Sequence, residues 1–164
     1  MPFEPGGIYA ILYELPPTRP NRPAPLHWGL LIATHPDGIN SVRIHVKQHD
    51  VTSWYRELSW TYDALRSSNG LRYIRLGHTR NMSHAIQTVE AIPVPESAPG
   101  IFNCVCWTME AIQSLHVAGY IQLTSGVLTE LEQMIRHIGK QALESKHAGM
   151  WRLDQIVDAH SRLP

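Results

Sequence analysis

The run Leu26-His27-Trp28-Gly29-Leu30-Leu31-Ile32-Ala33-Thr34 constrains this chain most. Its longest uninterrupted apolar part, Trp28 to Ala33, is far too short to cross a bilayer, so it reads as a strand covered on both faces. Any fold for the chain must therefore put this strand inside a sheet and supply layers above and below it. His35-Pro36-Asp37-Gly38 is a turn signal, and Ser41 to Lys47 beyond it alternates strictly. Val42, Ile44 and Val46 face one way, and Arg43, His45 and Lys47 the other. The two runs make a hairpin that brings His27 and His45 near one another.

Before this hairpin, Gly7 to Leu15 is rich in strand formers and reads as the first strand. Pro16 to Pro25 carries five prolines and no apolar period, which makes it a loop able to rim a cleft. After the hairpin, Val51 to Leu65 and Leu71 to Leu76 read as two more strands, separated by the turn Ser67-Ser68-Asn69-Gly70. Trp54 and Trp60 are expected to give this part the bulk of a sheet core. Helical patterns follow at Ser83 to Ala91, from Cys104 to Gly119, and along Leu128, Leu131, Ile135, Ile138 and Ala142. Trp151, Leu153, Ile156 and Val157 predict a last short helix. Strands first and helices afterwards mean α+β: an antiparallel sheet of about five strands, with helices against one side. Residues 1–164 are expected to be one domain, long enough to bury about two thirds of the unfolded surface.

Charge narrows the function. Lys+Arg and Asp+Glu number 14 each, so no net field draws the chain to nucleic acid or to an anionic membrane. The segment Met1-Pro2-Phe3-Glu4-Pro5 lacks the basic and apolar regions of a signal peptide, and C-x-C cysteines do not readily bridge each other. A soluble, cytoplasmic protein with free thiols and no integral membrane segment is expected, and nothing in the chain names a cofactor.

Chemistry concentrates where Ala98-Pro99-Gly100-Ile101-Phe102 leads into Asn103-Cys104-Val105-Cys106-Trp107. With Asn103 as N-cap, Cys104 opens the helix, where unpaired N–H groups and the helix dipole lower a thiol pKa. A nucleophilic cysteine needs a base oriented by a third polar group. Cys104, His27 and His45 are the candidates for nucleophile, base and orienting residue. Backbone N–H groups at the helix start, that of Cys104 included, are expected to contribute to an oxyanion hole. Cys106, two residues on, is expected to lie buried along the helix. Three readings compete with catalysis: cysteines and histidine as core residues, a zinc site, and a binding module with a recognition surface of prolines and aromatics.

The succession His27-Trp28-Gly29 on a strand, His45 on the next strand and Asn103-Cys104 opening a later helix resembles the lecithin:retinol acyltransferase-like family. That family belongs to the circularly permuted branch of the papain-like cysteine peptidase superfamily. The chain order His, His, Cys is the permuted one. The resemblance runs from about Leu26 to Gly119 and implies a permuted papain-like core, with Cys104 as nucleophile, His27 as base and His45 as orienting residue. It further implies an acyl-enzyme intermediate formed from a small-molecule or peptide amide, thioester or ester. After Asn-Cys the family's signature usually continues with Glu or Asn and then His-Phe, where this chain has Val105-Cys106-Trp107.

Overall fold

A computed structural model describes residues 2–15, 26–50, 53–95, 102–123, 127–150 and 156–161. Five strands come first: β1 (Gly7–Glu14), β2 (Leu26–Ile32), β3 (Ser41–Gln48), β4 (Trp54–Tyr62) and β5 (Gly70–His78). Three helices follow, α1 (Met82–Glu90), α2 (Cys104–Val117) and α3 (Leu128–His147), then the short strand β6 (Ile156–Asp158) and a single 3-10 turn, Ala159–Ser161. The architecture is α+β, with one sheet in the order β4-β3-β2-β1-β5-β6.

Two strand expectations are corrected. Among the described residues the sheet has six strands, not about five, and is mixed, because β6 lies parallel to β5 while the other pairs are antiparallel. Ile156 and Val157 belong to that sixth strand rather than to a helix; they pair with Tyr73 and Ile74. Three residues are too few to express a period of two, so their apolar character alone reads equally well as helix. Trp151 and Leu153, like the loop from Pro16 to Pro25, lie outside the described residues.

The apolar run behaves as its composition requires. Trp28, Leu30 and Ile32 point into a core shared with α1, α2 and α3, to which Ile8, Leu12, Val42, Ile44, Ile74 and Trp107 also contribute. Leu31 and Ala33 point to the opposite face, where Phe3, Tyr9, Ile11, Tyr13 and Tyr73 cover the sheet without a helix. Phe3 meets Tyr9 and Tyr73 edge-on there, at centroid distances of 5.2 and 5.0 Å. Along α3, Leu131, Ile135, Ile138 and Ala142 are buried, as their spacing predicts. Trp60 corrects the expectation of a core residue: β4 is the edge of the sheet, and Trp60 is 55% exposed on it. Trp54 packs against the core from its margin and meets Phe102 edge-on, ring centroids 5.4 Å apart.

One irregularity positions the site. β2 pairs with β1 over its whole length but with β3 only through Leu30↔Ile44, Leu31↔Arg43 and Ile32↔Val42. The first part of β2, with His27, Trp28 and Gly29, is therefore unladdered on its β3 side. The start of α2 packs into that opening.

Candidate functional site

Helix α2 begins as the sequence predicts. Asn103 is extended, and its side-chain oxygen accepts from the N–H groups of Val105 and Cys106 at 2.9 and 3.0 Å. At the other end Gly119 follows the C-cap Ala118 in the left-handed region, at φ +84°. The cap engages two of the N–H groups expected to be open for an oxyanion, leaving that of Cys104 among the candidates named from the sequence. Cys104 is buried, and the backbone N–H groups of Trp28, Cys104 and Val105 beside its thiol favour the ionised form. The Trp28 donor comes from the part of β2 that β3 leaves unpaired.

The expected depression of the Cys104 pKa is corrected. Burial pushes the thiol above its ordinary value, and these N–H groups offset this only in part. A helix start favours a thiolate when solvent or a cation shares the site; here the Cys104 side of the helix start is buried. Cys106 is corrected as well: it is exposed. Two helical steps turn a side chain about 200° from Cys104, which carries it away from the sheet.

His27 and His45 meet. Side-chain alternation puts both on the face away from the helices, beside Tyr13, whose ring centroid lies 5.8 Å from His27 and 6.1 Å from His45. His27 Nε2 and His45 Nδ1 are 2.8 Å apart. His45 Nε2 lies 2.9 Å from Glu57 Oε1 on β4, the residue directly opposite His45 in the β3–β4 register. Glu57 also holds Arg43 through Oε1 at 2.7 Å and Lys47 through Oε2 at 3.1 Å. Arg43, His45 and Lys47, which share one face of β3, thus converge on one carboxylate.

Because of burial foremost, and of neighbouring cations, both imidazoles are shifted down to about 4, so they are neutral at pH 7. For His27 the ring of His45 comes next after burial, then Lys47 and Arg43. Glu57 is held down at about 2, first by its bond to His45 and then, against some desolvation, by Lys47. The ionised member of the cluster is the carboxylate.

Cys104, His27 and His45 line one cleft of about 550 Å³ at the end of the sheet, together with Tyr13, Leu26 and Trp54. The histidines belong to one face and the cysteine to a helix on the other, but the separated part of β2 and β3 opens between them. The sequence missed Glu57 and the Trp28 N–H. A signal for Glu57 existed in the charges: Arg43, His45 and Lys47 on one strand face call for an acidic partner, and β4 offers one in register.

Among the described residues no group of three or more His, Cys, Asp or Glu side chains is placed to hold a metal ion. Nor is any helix among them long and apolar enough to cross a membrane.

Fold and cleft together define an α+β protein in which a buried thiol and a His–His–Glu chain open on one cleft. The chain belongs to a family of unknown function, DUF6540, whose model matches residues 12–122 and so takes in the end of β1, β2 through β5, α1 and the whole of α2. No curated protein matches it. No solved structure matches it either.

Proposed function

We propose that this protein is a cysteine-nucleophile enzyme that works through an acyl-enzyme intermediate, with Cys104 as nucleophile, His27 as general base and His45 orienting His27. The observation that carries the reading is the shared cleft: the thiol and the bonded histidine pair line one opening at the end of the sheet. The layout of His strand, second His strand and Asn-Cys helix start supports a permuted papain-like core and the likeness to lecithin:retinol acyltransferase-like proteins.

The resting site is a neutral thiol beside neutral imidazoles rather than an ion pair. Attack by Cys104 sulfur on an acyl carbon then passes the thiol proton to His27 as the carbon–sulfur bond forms. The positive charge that develops on His27 is shared with His45 and balanced by Glu57. Negative charge builds on the carbonyl oxygen of the attacked acyl group, and the backbone N–H of Cys104 at the helix start is the candidate donor to it. His27 gives the thiol proton to the amine, alcohol or thiol that leaves the acyl carbon. In deacylation it takes a proton from the attacking water or other acceptor and returns it to the departing Cys104 sulfur. An amide, thioester or ester of a small molecule or peptide fits this chemistry.

The test is acylation by an activated substrate, a p-nitrophenyl ester, with the modified residue mapped by peptide mass spectrometry. The acyl group is expected on Cys104, absent from Cys104→Ala, retained in Cys106→Ser, and formed about 10²-fold or more slowly in His27→Ala. Acylation confined to Cys106, or none in the folded protein, would sink the proposal. The burial of Cys104 favours one second reading: a fold that keeps the cleft as a binding groove without turnover. A protein that binds but never acylates is its signature.

A further inference from the structure

We infer that Glu57 is a positioning residue: by accepting the His45 Nε2 proton it sets the tautomer of both imidazoles and leaves His27 Nδ1 unprotonated. The inference rests on the proposed role of His27 as base.

An ionised carboxylate can only accept hydrogen bonds, and Glu57, which Arg43 meets at 2.7 Å and Lys47 at 3.1 Å, is ionised. At 2.9 Å from Glu57 Oε1, His45 Nε2 must therefore carry a proton and donate it. The reverse arrangement would set two lone pairs against each other at that distance. A neutral imidazole has one proton, so His45 Nδ1 is bare and accepts. The atom facing it at 2.8 Å is His27 Nε2, which is consequently the donor. His27 is also neutral, so its second nitrogen, Nδ1, keeps an open lone pair. Two rings relay the choice made by one carboxylate on the edge strand, and the result is a base with its lone pair on the nitrogen that His45 does not use.

Without this chain the pair is degenerate. Either ring can donate to the other, and in one of the two arrangements His27 presents an N–H instead of a lone pair. The same carboxylate balances the positive charge that reaches His27 during turnover. Glu57 never needs to touch substrate to do either.

The tautomers are read from ¹⁵N chemical shifts of the two rings at pH 7, with ring nitrogens assigned through long-range proton couplings. In the wild-type protein His27 and His45 are both expected to show a protonated Nε2 and a bare Nδ1. Glu57→Leu should raise the Nδ1-protonated population at both rings and slow p-nitrophenyl ester acylation of Cys104 on the order of 10²-fold. Glu57→Gln keeps an oxygen where Oε1 accepts from His45 and Arg43, so the wild-type tautomers should return with a rate between the two. A melting curve for each variant separates these effects from loss of fold. A protonated Nδ1 on either wild-type ring, or tautomers unchanged in Glu57→Leu, would overturn the inference. Wild-type protein with the stated tautomers but no acyl group on Cys104 overturns the enzyme reading instead, and supports the tautomer assignment.

Discussion

Gly29 and His45 come so close across the opening between β2 and β3 that a Cβ on Gly29 would lie 2.8 Å from the His45 Cβ and 3.2 Å from the Ile44 carbonyl oxygen. Neither neighbour is the far end of a flexible side chain. The absence of a side chain at Gly29, between His27 and Leu31 on the same strand face, is what lets β3 bring His45 to within hydrogen-bond reach of His27.

Gly29→Ala should therefore push His45 outward and lengthen the His27–His45 bond. The expected stability loss is about 1–3 kcal/mol, the usual cost of overpacking, read as a melting temperature lower by several degrees. Acylation of Cys104 should fall further than stability alone explains, because the base loses its partner. An unchanged melting temperature with an unchanged rate would show that the strands have room to spare.

Asn103 separates folding from chemistry. Its side chain satisfies two N–H groups of α2, so Asn103→Ala should cost about 1 kcal/mol. Asn103→Asp keeps the acceptor and favours the helix dipole, so it should recover the stability. It also adds a negative charge one residue from the thiol, which disfavours the thiolate, so acylation should stay slower than in the wild type. Chemical denaturation and acylation rates measured on the same two variants decide this; an Asp variant as fast as the wild type would refute the electrostatic part.

Acid should weaken the protein through the same cluster. An unfolded imidazole titrates near 6.5, whereas His27 and His45 in the fold titrate at about 4. Between those values the unfolded chain binds more protons, so stability rises with pH there. The contribution is complete above about pH 6.5 and lost as pH falls towards 4, on the order of 3 kcal/mol per ring if each titrated alone. Glu57 acts in the same direction at lower pH, since its folded pKa also lies below the unfolded one. Urea midpoints from pH 7 to pH 4 should fall more steeply for the wild type than for a His27→Gln/His45→Gln double variant. Parallel curves would mean that the pair does not carry the acid sensitivity.

How much of this was legible in the sequence depends on how local each signal is. Alternation along Ser41 to Lys47 and the turn before it were enough to place His45 near His27, because a hairpin is a short-range object. Asn103 marked the helix start for the same reason. Glu57 left only the charge signal of Arg43, His45 and Lys47, because which β4 residue stands opposite His45 is fixed by the β3–β4 register, which no period records. The burial of Cys104 depends on how closely α2 docks into an unpaired stretch of β2, which is a tertiary fact. Cys106, two residues along the helix, points away from Cys104 as counting requires, but whether that side of α2 is covered is again a tertiary fact, and it is exposed. Trp60 followed the propensity of its strand, but edge position decided its exposure.

Iodoacetamide labelling tests the resting charge state directly, since alkylation reports the thiolate already present. With Cys104 buried, its thiol raised and its neighbouring imidazoles neutral, labelling of Cys104 should be slow at pH 6 and climb only in the alkaline range. Cys106 is exposed and should label first in the folded protein. His27→Ala should leave the pH at which Cys104 begins to label unchanged, because a neutral ring contributes no charge to a thiolate. The same substitution should still slow acylation at pH 7, where His27 is needed as a base in the reaction itself. Peptide mapping after timed pulses at a series of pH values reads both cysteines in one sample. A plateau of Cys104 labelling below pH 6 that disappears in His27→Ala would mean a thiolate–imidazolium pair at rest, and the neutral mechanism would have to be given up.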